Sequence, residues 1–352
     1  MKRCIVTIAF GVMIPLISTA QVDTVKAKIL DSGNQDAEKF YNKGIANFTN
    51  KNFKEALQAF DQAIALKPDF VKAYYNRGAT KFELKDFKGT IDDLNKSIIL
   101  DEEVDADCYF IRGQARYAMD DKAGAEEDYT ETLKLKPGYA QVYYYRGGVR
   151  FENKDYNGAI EDYTQAVKLK PDYVYAYNDR GSAKKMLDNL DGAIEDYNKA
   201  LSINSDMPFA YNNLASAERA KGDYQDAIKD YSEAIKQKKD YYIAYNNRGS
   251  AKLDAGDYAG AIADFDKAIQ LKSDYVNAFN NRAAAKYKLK DYKGAVDDCN
   301  KAIQLNSKYG LAYTNRGIAK EAMQDDAGAC ADWKMAADLG VNVAKAYTED
   351  CK

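Results

Sequence analysis

The feature that most constrains this chain is that it repeats itself. Residues 245–275 read YNNRGSAKLDAGDYAGAIADFDKAIQLKSDY, and residues 279–309 read FNNRAAAKYKLKDYKGAVDDCNKAIQLNSKY. A small residue recurs at Gly44, Gly78, Gly113, Gly147, Gly181, Ala215, Gly249, Ala283 and Gly317, spaced by 34 residues except for 35 between Gly78 and Gly113. A period of this size is the signature of a stacked-repeat architecture and bounds every later inference. It divides the chain into nine units starting near 37, 71, 106, 140, 174, 208, 242, 276 and 310. The extra residue falls near the acidic stretch DEEVDAD at 101–107.

Each unit carries two helical patterns. In 242–275, Tyr245, Gly249 and Lys252 lie on one helical stripe. Ala255-Gly256-Asp257 interrupts the pattern and supplies a cap signal for a second helix. The second stripe is Tyr258, Ala261, Ile262, Phe265, Ala268 and Ile269. A two-helix unit cannot bury its apolar faces alone, so neighbours must stack to complete the core.

Numbering each unit from 1, position 4 is aromatic throughout: Phe40, Tyr74, Tyr109, Tyr143, Tyr177, Tyr211, Tyr245, Phe279 and Tyr313. Position 20 is Ala in eight units and Thr90 in the other, and position 27 is Ala63, Ser97, Thr132 and then Ala as far as Ala336. Small residues there let two helices approach closely. Position 32 is Pro at Pro68, Pro137 and Pro171. This pattern closely resembles the tetratricopeptide repeat family. The resemblance implies an all-α, right-handed α-solenoid of nine helix-turn-helix repeats over 37–343 with a short cap over 344–352. It also implies a protein or peptide as partner, without naming one.

Nine copies allow columns to be compared within one chain. Position 7 is Arg in seven units: Arg77, Arg112, Arg146, Arg180, Arg248, Arg282 and Arg316. Position 11 is basic in the same seven: Lys81, Arg116, Arg150, Lys184, Lys252, Lys286 and Lys320. Position 23 is Asp in units two to nine: Asp93, Asp128, Asp162, Asp196, Asp230, Asp264, Asp298 and Asp332. Positions 7 and 11 share a helix face. Unit one lacks the Asp (Ala59) and unit six lacks both bases (Leu214, Glu218). The expectation is a structural ion-pair ladder between packed helices; the competing reading is a basic column for an anionic ligand.

In the tetratricopeptide family, positions 2, 5, 6, 9, 12 and 13 tend to line the concave groove. Position 5 reads Tyr41, Tyr75, Phe110, Tyr144, Asn178, Asn212, Asn246, Asn280 and Thr314. Position 6 is Asn213, Asn247, Asn281 and Asn315 in the last four units. Position 12 reads Phe48, Phe82, Tyr117, Phe151, Lys185, Arg219, Leu253, Tyr287 and Glu321. The resemblance therefore predicts a groove aromatic in its early units and lined by Asn later. The peptide-binding candidates are Tyr75, Phe110, Tyr144, Tyr145 and the Asn residues 178, 212, 213, 246, 247, 280, 281 and 315. Regularly spaced amides can pair with the main chain of an extended peptide. At position 6 this is similar to the asparagine ladder of the protein-glycosylating transferases. The alternative is that the Asn side chains bond neighbouring helices and the Tyr side chains fill space. The carboxylate clamp of the family's co-chaperones is not matched: Lys72 and Asn76 fit its first pair, but Ile111, Gln141 and Tyr145 break the rest.

Composition narrows the function classes. The chain has no His, which removes a Ser-His-Asp triad, a Cys-His pair and His-ligated metal sites. No acid-base-nucleophile constellation is visible, so the expectation is a non-enzyme with no cofactor or metal. The formal net charge of -3 is well mixed and gives no nucleic-acid footprint.

Lys2 and Arg3, an apolar run from Ile5 to Ile17 and then Ser18-Thr19-Ala20 read as a secretory signal peptide over 1–20, followed by a linker over 21–36. No later segment is apolar enough to span a bilayer. Export to a periplasm or the extracellular space follows as an expectation, and an oxidising compartment favours a disulfide between Cys330 and Cys351 across the C-terminal turn at Gly340. The leading functional expectation is an exported interaction module holding a peptide or partner protein in a concave groove. The alternative is a self-assembling envelope scaffold with contacts on convex faces or ends. Partner identity and oligomeric state are not legible here.

Overall fold

The computed structural model describes residues 35–101, 103–349 and 351, so the expected leader and residues 21–34 of the expected linker lie outside them. Among the described residues there are nineteen α-helices and no strand. They form two compact bodies, one reaching to Ala183 and the other running from Lys184 to the C-terminus.

The first body holds the hairpins α1 (Gln35–Thr49) with α2 (Phe53–Leu66), α3 (Val71–Glu83) with α4 (Phe87–Leu100), α5 (Ala106–Ala118) with α6 (Lys122–Leu135), and α7 (Ala140–Glu152) with α8 (Tyr156–Leu169), then most of α9 (Val174–Met186). The second holds α10 (Leu190–Ile203) and the hairpins α11 (Pro208–Lys221) with α12 (Tyr224–Gln237), α13 (Tyr242–Asp254) with α14 (Tyr258–Leu271), α15 (Val276–Lys288) with α16 (Tyr292–Leu305), and α17 (Gly310–Ala322) with α18 (Asp326–Asp338), closed by α19 (Asn342–Thr348). Within each body every hairpin packs on the next, and the first helices of successive hairpins also touch. This is the helix-pair stacking of an α-solenoid. The odd helices from α3 to α17 start at the unit starts read from the sequence, while α1 is already helical at Gln35 inside the expected linker.

Each hairpin turn is set by two local devices. Position 15 takes a left-handed backbone, at Lys51, Lys85, Asp120, Lys154, Asp188, Lys290 and Gln324 with φ between 60° and 65°, and at Gly222 and Gly256 with φ of 100° and 87°. Position 16 then caps the second helix. The side chains of Asp86, Asp121, Asp155, Asn189, Asp257, Asp291 and Asp325 each accept a hydrogen bond from the backbone N–H of a glycine three residues on. The glycine suits this cap rotamer: a Cβ on Gly260 would lie 2.0 Å from the Asp257 carboxylate as it stands, so a larger residue there would make the Asp side chain shift. Units one and six carry Glu55 and Asp226 in place of that glycine, and their caps make no side-chain hydrogen bond.

The core is a column of position 24 side chains under position 8. Tyr129, Tyr163, Tyr231 and Phe265 are fully buried, each contributing about 2–3 kcal/mol by removal from water. Glycine at position 8 permits this approach, since a Cβ on Gly147 would meet the Tyr163 ring at 2.8 Å. Cys299 takes this place in unit eight, a buried free thiol beneath Ala283. Cys108 is also buried and free. At the C-terminus, Tyr347 of α19 stacks on Trp333 with ring centroids 5.0 Å apart, and Cys330 is disulfide-bonded to Cys351.

Candidate functional site: the columns of the first helices

Three columns on the odd-numbered helices carry the polar and aromatic chemistry. Two of them are occupied within the stack, and the third varies.

The first is the Arg column. Arg77, Arg112, Arg146, Arg248, Arg282 and Arg316 each bind the position 23 Asp of their own unit in a fork. Nη2 lies 2.5–2.7 Å from one carboxylate oxygen. Nε donates over 2.8–3.0 Å. The position 11 base contacts the same Asp at 2.7–3.1 Å in all seven units that have one, including Lys184 on Asp196. Each buried carboxylate is thus flanked by cationic donors, the arrangement that makes burying it tolerable. The hydrogen bonds they donate to Asp298 and Asp332 raise the pKa values of Arg282 and Arg316 above the usual guanidinium value.

The remaining arginine nitrogen, Nη1, reaches back one unit. It donates to Asp61, Asn95, Thr130, Thr164, Ser232, Asp266 and Asn300 from Arg77, Arg112, Arg146, Arg180, Arg248, Arg282 and Arg316. These acceptors form column 25, which sequence reasoning missed. Its signal was present: the column is a short polar residue in eight units and Lys334 in the ninth, whose hairpin is followed by α19.

The second column is the pair of positions 5 and 6. Asn247 donates to Asn212 at 3.1 Å, Asn281 to Asn246 at 3.0 Å and Asn315 to Asn280 at 2.9 Å, in each case from position 6 of one unit to position 5 of the unit before. Asn246 also donates to Asn247, so an amide chain runs from Asn281 through Asn246 and Asn247 to Asn212. The first body makes the same stitch with other groups: Asn76 donates to the Tyr41 hydroxyl, and the Tyr144 hydroxyl donates to Asp179. Burial lifts the Asp179 carboxyl to about 6, against the lowering effect of the bonds from Tyr144 and Asn178.

These stitches bear directly on the peptide-binding candidates. Asn246 is 1% exposed and Asn281 6%, and Asn178, Asn212, Asn247, Asn280, Phe110 and Tyr144 are buried as well. Asn213, Asn315, Tyr75 and Tyr145 are half-buried. Tyr145 packs against Phe110, Tyr129 and Tyr144. The rows expected to face a peptide are therefore mostly engaged between units, because a position 5 amide is the nearest acceptor for the position 6 amide of the next hairpin.

The third column is position 12. In the first body Phe48, Phe82, Tyr117 and Phe151 are half-buried. Phe48, Phe82 and Phe151 meet the aromatic ring five residues on at 5.4–5.6 Å, and Tyr117 instead donates to Glu152. In the second body the same column holds Lys185, Arg219, Leu253, Tyr287 and Glu321. Lys185 donates to the Ser216 hydroxyl, and Arg219 to Asp254 at 2.7 Å. Burial, and then Arg219, lowers the Lys185 ammonium to about 8.

No described helix is long and apolar enough to cross a membrane. Models described as tetratricopeptide repeat or TPR repeat match residues 44–85, 147–188, 174–207, 212–276 and 276–309, together more than half of the chain. No curated protein matches it. Among solved structures, a tetratricopeptide repeat protein from Parabacteroides merdae is similar with a TM-score of 0.60 and 18% identity, over 69% of this chain and 97% of that one. A chain of the APC/C hetero-tetramer Cut9–Hcn1 follows with a TM-score of 0.56 and 14% identity, over 89% and 75%. PilF of Pseudomonas aeruginosa is similar with a TM-score of 0.51 and 18% identity, over 59% and 97%. At these identities the likeness is one of fold. The 34-residue period, the stacked helix hairpins and the matched models lead to one conclusion: the chain belongs to the tetratricopeptide repeat family.

Proposed function

We propose that the chain is an exported protein–protein interaction module, not an enzyme, that binds an extended peptide or partner segment along the first helices of its hairpins. One observation carries this reading. Columns 5, 6, 7, 11 and 23 serve the stack, whereas column 12 changes from aromatic to charged, apolar and aromatic without any change in the hairpin around it. The hairpin accepts a different side chain at column 12 in each unit of the second body, and half-buried aromatics such as Phe48, Phe82 and Phe151 are the side chains that interfaces use as anchors. Export is supported by the leader-like residues 1–20 and by the Cys330–Cys351 bond, which suits an oxidising compartment.

The test is site-specific photo-cross-linking in the source cell. A photoreactive phenylalanine analogue replaces Phe82 or Phe151, with exposed Lys96 on α4 as the control site. Adducts to a second protein are expected from 82 and 151 and not from 96. Adducts from 96 alone, between copies of this chain, would overturn the reading in favour of a self-assembling scaffold.

A further inference from the structure

We propose that the sixth unit is a pH-sensitive break in the second body: Glu218 of α11 and Asp230 of α12 share one proton, and its loss lets this hairpin open locally while the hairpins around it stay closed.

The inference starts from what the other units do at the same two positions. Seven units set a base at position 11 within 2.7–3.1 Å of the position 23 Asp. Unit six keeps Asp230 but places Leu214 and Glu218 where the two bases belong. By the register that sets positions 11 and 23 against each other in the seven other units, Glu218 faces Asp230 across the α11–α12 hairpin, and two carboxyl groups so placed favour a form in which one of them carries a proton. Among the described residues no donor reaches the buried Oε2 of Glu218.

The surroundings do not supply the missing cation. Asp223 at the start of α12 and Asp226 and Glu233 on it add negative charge, and Lys229 is the cation that acts on Asp230. On α11, Arg219 bonds Asp254 of α13, and Lys221 bonds Asp191 of α10. On α13, Arg248 and Lys252 both bind Asp264. The hairpin is also weakly fastened elsewhere, since Asp223 makes no side-chain cap.

Burial first, and Asp230 second, push Glu218 up to about 8, and Asp230 is raised as well. An acid raised in the closed form holds a proton that the open form releases. Closure is therefore most favoured at and below the ordinary Glu range, weakens as pH climbs, and levels off above about 8.

Hydrogen–deuterium exchange of the full-length protein at pH 6 and pH 9, normalised to intrinsic exchange rates, tests this. Protection across 208–237 should fall by tens of fold at the higher pH, while α15 and α16 hold theirs. Both Glu218→Gln and Glu218→Lys should abolish the difference. Equal protection of the native hairpin at the two pH values would overturn the proposal, and so would an undiminished fall in Glu218→Gln.

Discussion

At Arg282 every guanidinium nitrogen is engaged: Nε and Nη2 hold Asp298 of its own unit, and Nη1 holds Asp266 of the unit before. One side chain therefore fastens a hairpin internally and to its neighbour. Arg282→Ala leaves Asp298 buried with Lys286 as its remaining ion-pair partner and should cost about 2–3 kcal/mol, read as a lower urea midpoint. Arg282→Lys should recover little, because an ammonium cannot reproduce the fork. Lys290 gives the opposite prediction. Its φ of 64° is the conformation that Gly222 and Gly256 adopt in their turns. Lys290→Gly should raise the urea midpoint by an amount equivalent to about 1 kcal/mol. The ladder's Arg, base and Asp were legible in the sequence because column 7 is Arg and column 11 basic in the same seven units, and column 23 is Asp in every one of them. Column 25 was overlooked because its members differ chemically, as Asp, Asn, Thr and Ser, while doing one job.

Among the elements, the α11–α12 hairpin is the exception that explains the rule. Leu214→Arg combined with Glu218→Lys would restore the fork on Asp230, and Asn198 of the preceding unit occupies the column 25 place to receive Nη1. The double variant should melt higher than the native chain at pH 9, by an amount on the order of 2 kcal/mol, and should lose the pH dependence of the hairpin. The terminal helix α19 gives an independent prediction. The chain has a single Trp, and Trp333 is buried beneath Tyr347. Cys351→Ser removes a cross-link spanning 21 residues, whose chain-entropy contribution is about 3 kcal/mol. Trp333 emission should shift to the red while the helicity of α1–α18 holds. A cap at this end was foreseeable from Gly340 and the two cysteines; its helix starts at Asn342, two residues before the boundary read from the sequence.

For the whole molecule, fold and face were legible to different degrees, for a physical reason. In a repeat stack each unit meets only its neighbours, so a period of 34 residues states the architecture almost completely. The face is harder to read, because positions 5 and 6, which the family resemblance assigns to a groove, also meet the neighbouring hairpin. An Asn there satisfies the same pattern whether its amide meets a peptide or an Asn 35 residues away, as Asn281 meets Asn246. Burial decides between these uses, and burial follows from the stack rather than from any one residue. The same coupling means that a urea midpoint reports on the stack as a whole, so local opening is the quantity that resolves one row of amides from another.

The most direct test is therefore amide exchange of the triple variant Asn247→Ala, Asn281→Ala, Asn315→Ala beside the native chain. Each substitution strips a donor from a position 5 acceptor, at about 1–2 kcal/mol for the group left unsatisfied. If the Asn rows stitch hairpin to hairpin, exchange across α11, α13, α15 and α17 should rise at least tenfold while α1–α8 are unchanged. Exchange equal to the native chain throughout would mean that the amides do not hold the stack, and would return them to the role of ligand contacts.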